Sequence, residues 1–286
     1  RRAEEELLWC EKKQIRVLLP SDASYPRRLL DCPDAPLALF YRGNADLNAA
    51  HVIAVVGTRQ STPYGHDIIH NLMSDLQRQL PDTLVVSGLA YGIDSCAHRE
   101  SLDHSLPTVG VLAHGLDTIY PAAHRSLATK MLDRGGLITE YVSKTKGDRA
   151  NFIRRNRIIA GMADTVIVVE SKSHGGSLST ARIANDYGRD VATFPGRVGD
   201  VASAGCNILI RENKARLVTS TEDIIDGLGW VTISAAAEIR RKGVEMPLFQ
   251  DFTPDQQLIV NALREGDMQQ NMLCVKTGLP PGKVCA

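Results

Sequence analysis

Three arginines, Arg154, Arg155 and Arg157, follow Phe152 in the run FIRRNRIIAGMADTVIVVE at 152–170. A guanidinium is a planar fork of donors that matches phosphate oxygens, and a phenyl face can stack a base. The chemistry suited to this group is capture of a nucleotide or of a single strand. Taken alone, the run is better read as a solvated basic helix start, so the binding reading depends on what surrounds it.

Three further stretches place anion-binding chemistry where a strand gives way to a helix. Gly57, Thr58 and Arg59 precede Thr62 and Pro63, an expected N-cap and first helical residue. Free backbone N–H groups, a positive dipole end and the charge of Arg59 would make a phosphate seat there; a plain turn with a surface arginine is the other reading. In SGLAYGIDSCAH at 87–98, Gly88 and Gly92 would let a ligand approach the backbone beside Ser87. In SKSHGGSLSTARIA at 171–184, Gly175 and Gly176 lead into Ser177 and Thr180, whose donors could form an anion nest. The GxGxxG spacing of a dinucleotide site and the Gly-Lys-Ser/Thr of a Walker A loop are both missing.

Catalytic patterns are incomplete. His98, His104, His114, His124 and His174 fall in no HExxH motif, and Ser87 lacks the GxSxG elbow of a hydrolase. Glu170, at an expected strand end, is the one credible general base, and an ion pair with an arginine explains it equally well. No sequence feature demands a metal or an organic cofactor. The six scattered cysteines lack CxxC spacing and suit a reduced, cytoplasmic chain. Thirty-three basic residues balance thirty-three acidic ones, so attraction for a polyanion has to come from local clustering. No apolar run approaches the roughly 20 residues that cross a bilayer, and no signal-like segment opens the sequence; no membrane partner is expected.

The elements that must hold these residues follow from periodicity. Apolar, β-branched runs at 52–57, 83–88, 108–113, 136–140, 165–170 and 190–194 read as strands buried on both faces, alternating with helical stretches. Ile68, Ile69, Leu72, Met73, Leu76 and Leu80 recur at helical spacing and should lie on the sheet. The expected fold is α/β, a largely parallel sheet with helices on both faces. Residues 1–50 read as a charged helical start and an entry segment packed on the main domain, 51–230 as that domain, and 231–251 as a linker. Residues 252–286, with Thr253 as N-cap and Pro254 behind it, read as a partial winged-helix-like unit.

Taken in order, these stretches resemble the DprA family, also called Smf, the DNA-processing proteins of natural transformation. The matches are YPRRLLDCPDAPLALFYRGN at 25–44, VVGTR at 55–59, SGLAYGIDSCAH at 87–98, GLDTIYPAAHRSL at 115–127, RNRIIAGM at 155–162, VVESKSHGGSLSTARIA at 168–184, FPG at 194–196 and GCNILI at 205–210. One serine of the family's usual SGSLxT loop is a glycine in GGSLST, while Ser177 remains. The resemblance implies an extended Rossmann-like domain at 51–230 that binds single-stranded DNA, forms a homodimer and loads a RecA-type recombinase onto incoming strands, with residues 1–50 carrying the end of an N-terminal helical domain; the incomplete catalytic motifs lead to the expectation that it is not an enzyme. Carried onto this chain, it implies a DNA and phosphate site of Gly57, Thr58, Arg59, Ser87, Gly88, Arg149, Phe152, Arg155, Asn156, Arg157, Gly176, Ser177 and Thr180. The competing class is a nucleotide phosphoribohydrolase on a related sheet; its PGGxGTxxE motif is not met, since Ala181 and Arg182 stand after Thr180.

Overall fold

In the computed structural model, which describes residues 2–236, 252–264, 266, 268 and 270–284, the apolar runs assemble one continuous sheet. Its strands are β1 (Arg16–Leu18), β2 (Leu39–Gly43), β3 (Val52–Val56), β4 (Leu84–Ser87), β5 (Thr108–Val111), β6 (Gly135–Thr139), β7 (Thr165–Val168), β8 (Asp190–Thr193) and β9 (Arg216–Leu217). Among the described residues the order is β1-β2-β6-β5-β4-β3-β7-β8-β9. Strands β3 to β9 run parallel to their neighbours, whereas β2 joins β6, and β1 joins β2, antiparallel. The six expected strands are all present.

Alternation along β3 divides the core. Val52, Ala54 and Val56 face one cluster, and Ile53 and Val55 face the other. Helix α3 (Pro63–Gln79) lays its stripe of Ile68, Ile69, Leu72, Met73 and Leu76 on the second face, with Leu80 just past its end, as its spacing predicts. Helix α4 (Ile93–Asp103) packs beside it, while α6 (Arg149–Met162) and α7 (Gly176–Asp186) cover the first face; α1 (Arg2–Lys12), α2 (Arg27–Leu30) and α5 (Arg125–Met131) are the other α-helices ahead of α7.

Residues 1–50 are bound more intimately than a packed segment would be, because they supply β1 and β2 to the sheet itself. Arg28 clamps Asp164 in two-pronged fashion, Nε to Oδ1 at 2.6 Å and Nη2 to Oδ2 at 2.9 Å, and Asp164 Oδ2 also accepts the Val52 N–H. Contacts divide the chain into a unit of Arg1–Ile233 and one of Ser234–Ala286.

In the second unit, helices span Pro254–Leu263, Gln270–Thr277 and Pro281–Val284. Thr253 is the N-cap of the first, its hydroxyl accepting from Gln256 N and the Gln256 side chain returning to the Thr253 N–H. No strand that would make a wing occurs among its described residues. Of the linker reading at 231–251, residues 237–251 lie outside the described residues. No helix among the described residues is long and apolar enough to cross a membrane.

Candidate functional site

Strand order reverses at β3: β4, β5 and β6 build outward on one side, β7 and β8 on the other. In open parallel sheets such a switch point leaves a crevice outside the strands' carboxyl ends. Here it holds an open cleft of about 1020 Å³, lined among others by Gly57, Thr58 and Arg59 after β3, Asp94 after β4, and Gly176, Ser177 and Thr180 after β7. Helix α6 supplies Arg149, Phe152, Arg155 and Asn156. Ten of the thirteen sequence-predicted residues therefore meet in one place; Ser87, Gly88 and Arg157 do not line it.

The loop after β3 is fixed by its neighbours. Thr58 N–H donates to Glu170 O at 2.7 Å, and Ile93 N–H donates back to Thr58 O at 3.1 Å. Arg59 is exposed just beyond. Helix α6 is capped by Asp148, whose carboxylate accepts from Asn151 N at 2.7 Å, and this sets Arg149 and Phe152 in its first turn. Helix α7 starts at Gly176 with no side-chain cap; Leu178 N–H donates to Gly175 O at 3.2 Å, and the N–H groups of Gly176 and Ser177 ahead of it point the way a bound anion would need. The Ser177 hydroxyl donates to Ser171 Oγ at 2.8 Å.

Three contributors lay outside the predicted set. The Tyr120 ring stands 5.6 Å from that of Phe152, tilted by 57°, and Lys172 and His174 face the same cleft from the loop before α7. Lys172 Nζ reaches Gln60 Oε1 at 2.7 Å. Tyr120 was visible only as part of a family motif, because its proximity to Phe152 is a tertiary fact.

Arg155 corrects the sequence reading of a phosphate-holding guanidinium. It is only 4% exposed, and its Nη1 donates to Gly88 O at 2.7 Å and, closely, to Val111 O. Burial lowers its pKa to about 10, opposed by the charge of Asp94; burial likewise raises the Asp94 carboxyl, opposed by Arg155. Arg155 is thus a buried strut under the cleft, with its guanidinium carbon 5.9 Å from the Phe152 ring centre. Gly88 serves this strut, since a Cβ there would stand 2.6 Å from the Arg155 guanidinium. Gly92, at φ +76°, packs against its own chain, since a Cβ would meet Thr58 O at 2.2 Å. Gly88 therefore serves packing and not a ligand's approach, whereas Gly92 is half-buried and lines a second open hollow beside Arg59 and Tyr91. Ser87 is buried, its hydroxyl donating to Val55 O at 2.6 Å.

Arg157 is likewise committed. It ion-pairs closely with Glu140 and donates to Asp34 O, tying α6 to the N-terminal segment. Arg154 is exposed and lies outside the cleft lining.

Glu170, the residue considered as a general base, is fully buried. Its carboxylate accepts from Thr62 N–H at 2.9 Å and Thr62 Oγ1 at 2.6 Å. Thr62 stands at the N-cap position of α3, yet its hydroxyl makes no cap bond and donates to Glu170 instead. The anionic partner expected of a helix start is therefore supplied from β7's end.

The chain is similar to known proteins in sequence and fold. The family model described as DNA recombination-mediator protein A matches residues 16–229. DNA processing protein DprA of Streptococcus pneumoniae is 40% identical over 204 residues, 71% of each chain. Putative DNA processing protein DprA of Mycobacterium tuberculosis is 36% identical over 296 aligned positions, covering 99% of this chain and 75% of that one. The X-ray structure of the pneumococcal DprA is similar at a TM-score of 0.71 and 37% identity, over 78% of this chain and 77% of that chain. A structure of DprA from Helicobacter pylori, described for its single-stranded DNA binding mode, gives a TM-score of 0.67 at 26% identity, over 75% of this chain and 95% of that chain. By the match over residues 16–229 and by these identities, the chain belongs to the DNA recombination-mediator protein A family, also called DprA or Smf.

Proposed function

We propose that the cleft binds single-stranded DNA with little sequence selectivity. The observation that carries this reading is the pairing of exposed cationic side chains, Arg59, Arg149 and Lys172, with the aromatic faces of Phe152 and Tyr120 and the uncapped start of α7, all in one open crevice. Cations and N–H groups hold phosphates, and the rings take bases, each of which has a π-face whatever its identity. The binding mode named for the Helicobacter pylori relative supports this use of the fold.

The protein acts by binding. Glu170 is engaged at the start of α3 and Asp94 stands among the groups that hold the buried Arg155, so neither carboxylate has the freedom of a general base. As a homodimer it delivers strands to a RecA-type recombinase: two linked clefts raise the effective concentration of the second binding event.

The test is a competition between a single strand and a blunt duplex across a salt series. Single strand is expected to win, with log affinity falling by roughly 0.7 per phosphate contact for each decade of salt. Equal affinity for the two forms would remove the reading. Delivery is tested by recombinase strand exchange on DNA coated with single-strand-binding protein; no stimulation by a chain that binds DNA reduces the function to binding alone.

A further inference from the structure

Away from the cleft, two histidines and a glutamate that are scattered in the sequence converge on the outer face of α3 and α4. His70 Nδ1 lies 2.9 Å from Glu100 Oε2, and His104 Nδ1 lies 3.6 Å from the same oxygen. The two imidazoles meet edge to face at 5.1 Å between ring centres. One ligand atom from each of the three residues can be chosen so that all lie within 4.8 Å of one another.

We propose that His70, Glu100 and His104 form a site for one divalent transition metal of borderline softness, Zn²⁺ foremost, with solvent completing the shell. Two imidazoles and a carboxylate are the donor set that zinc takes in three-ligand sites, whereas Mg²⁺ and Ca²⁺ take oxygen donors. Tetrahedral zinc with bonds of about 2.0–2.1 Å needs ligand atoms about 3.3 Å apart. His70 Nδ1 and Glu100 Oε2 already stand 2.9 Å apart and the candidate ligand atoms all lie within 4.8 Å, so rotation of the exposed His70 and the half-buried Glu100 and His104 side chains would bring the set to that value with the backbone in place.

Two features already present suit a metal. His104 Nδ1 is 2.9 Å from the Glu100 carbonyl oxygen. Donation to that carbonyl puts the hydrogen on Nδ1 and leaves Nε2 with a bare lone pair, the way metal-bound histidines are commonly oriented. His104 is also the C-cap of α4, where the helix dipole favours a cation. His70 comes from α3 and the other two from α4, so the metal would fasten one helix to the other. This site stands apart from the nucleic-acid reading, and neither depends on the other.

The experiment is calorimetric titration of the full chain with ZnCl₂, paired with absorption spectra in CoCl₂. One equivalent is expected to bind, with affinity lowered at least about tenfold in His70→Ala and in His104→Ala, as for loss of a ligand among so few. Zinc should raise the melting temperature of the parent and leave that of His70→Ala unchanged; His70 is exposed, so that variant keeps the core intact. Cobalt should give visible bands without the near-ultraviolet band of a thiolate ligand. Absence of saturable uptake, unchanged affinity in the His70→Ala variant, or a thiolate band would each overturn the proposal; the first of these would leave the cluster as a hydrogen-bonded group alone.

Discussion

The floor and the rim of the cleft use the same residue type to opposite ends. On the floor, Arg155 is buried against two carbonyls, with Gly88 shaped around it. On the rim, Arg59 and Arg149 are exposed. The difference teaches that a guanidinium in a binding site is assigned by its accessible donors and not by its place in a motif: the floor holds strand ends together, and the rim is free to take a ligand.

The largest effect should come from the floor. Arg155→Met leaves the two buried carbonyls of Gly88 and Val111 without their donor, and is expected to cost about 2–6 kcal/mol of stability, taking about 1–3 for each unpaired group. Denaturant unfolding measures it, and an unchanged midpoint would erase the distinction between floor and rim. On the rim, Arg59→Ala with Arg149→Ala should lower single-strand affinity by about 3 kcal/mol, taking about 1.5 for each charged hydrogen bond. Stability should move by no more than about 0.5 kcal/mol. A fluorescence anisotropy series read beside a melt separates the two quantities.

Between floor and rim, Phe152→Ala should weaken binding by about 1–3 kcal/mol while keeping the salt slope, because stacking releases no counterions. A slope that changed with the ring would move Phe152 out of the stacking role. At neutral pH the smallest effect concerns His98, which is buried near the floor; it grows only as the solution is acidified. Burial first, then the charges of His124 and Arg155, lowers its pKa to about 3. The unfolded chain therefore takes up a proton that the folded chain refuses between about pH 6.5 and 3, so stability is lost as pH falls through that window, at up to about 1.4 kcal/mol per pH unit. His98→Gln should flatten the curve relative to the parent, and parallel curves would show that His98 does not contribute.

Legibility in the sequence followed burial. Strands buried on both faces read as continuous apolar runs, whereas β1 and β2 carry Arg16 and Arg42 and lie at the antiparallel edge, and β9 is two exposed residues. Local turns foretold Gly57–Arg59 and Gly176–Thr180 at the cleft. The fates of Arg155 and Arg157 were hidden because Gly88 O, Val111 O and Glu140 come from other strands' ends. The three-residue cluster on α3 and α4 escaped for the same reason, since no spacing rule joins His70 to Glu100 and His104.

The central place of β3 has a consequence for how the chain is made. Its partner β7 begins at Thr165, roughly a hundred residues after β3 ends. At a synthesis rate of about 5–20 residues per second, one flank of an apolar strand stays unmatched for roughly 5–20 s on the ribosome. Whatever shields that flank during those seconds governs how much of the protein escapes aggregation, and the cleft comes into being only when the wait is over.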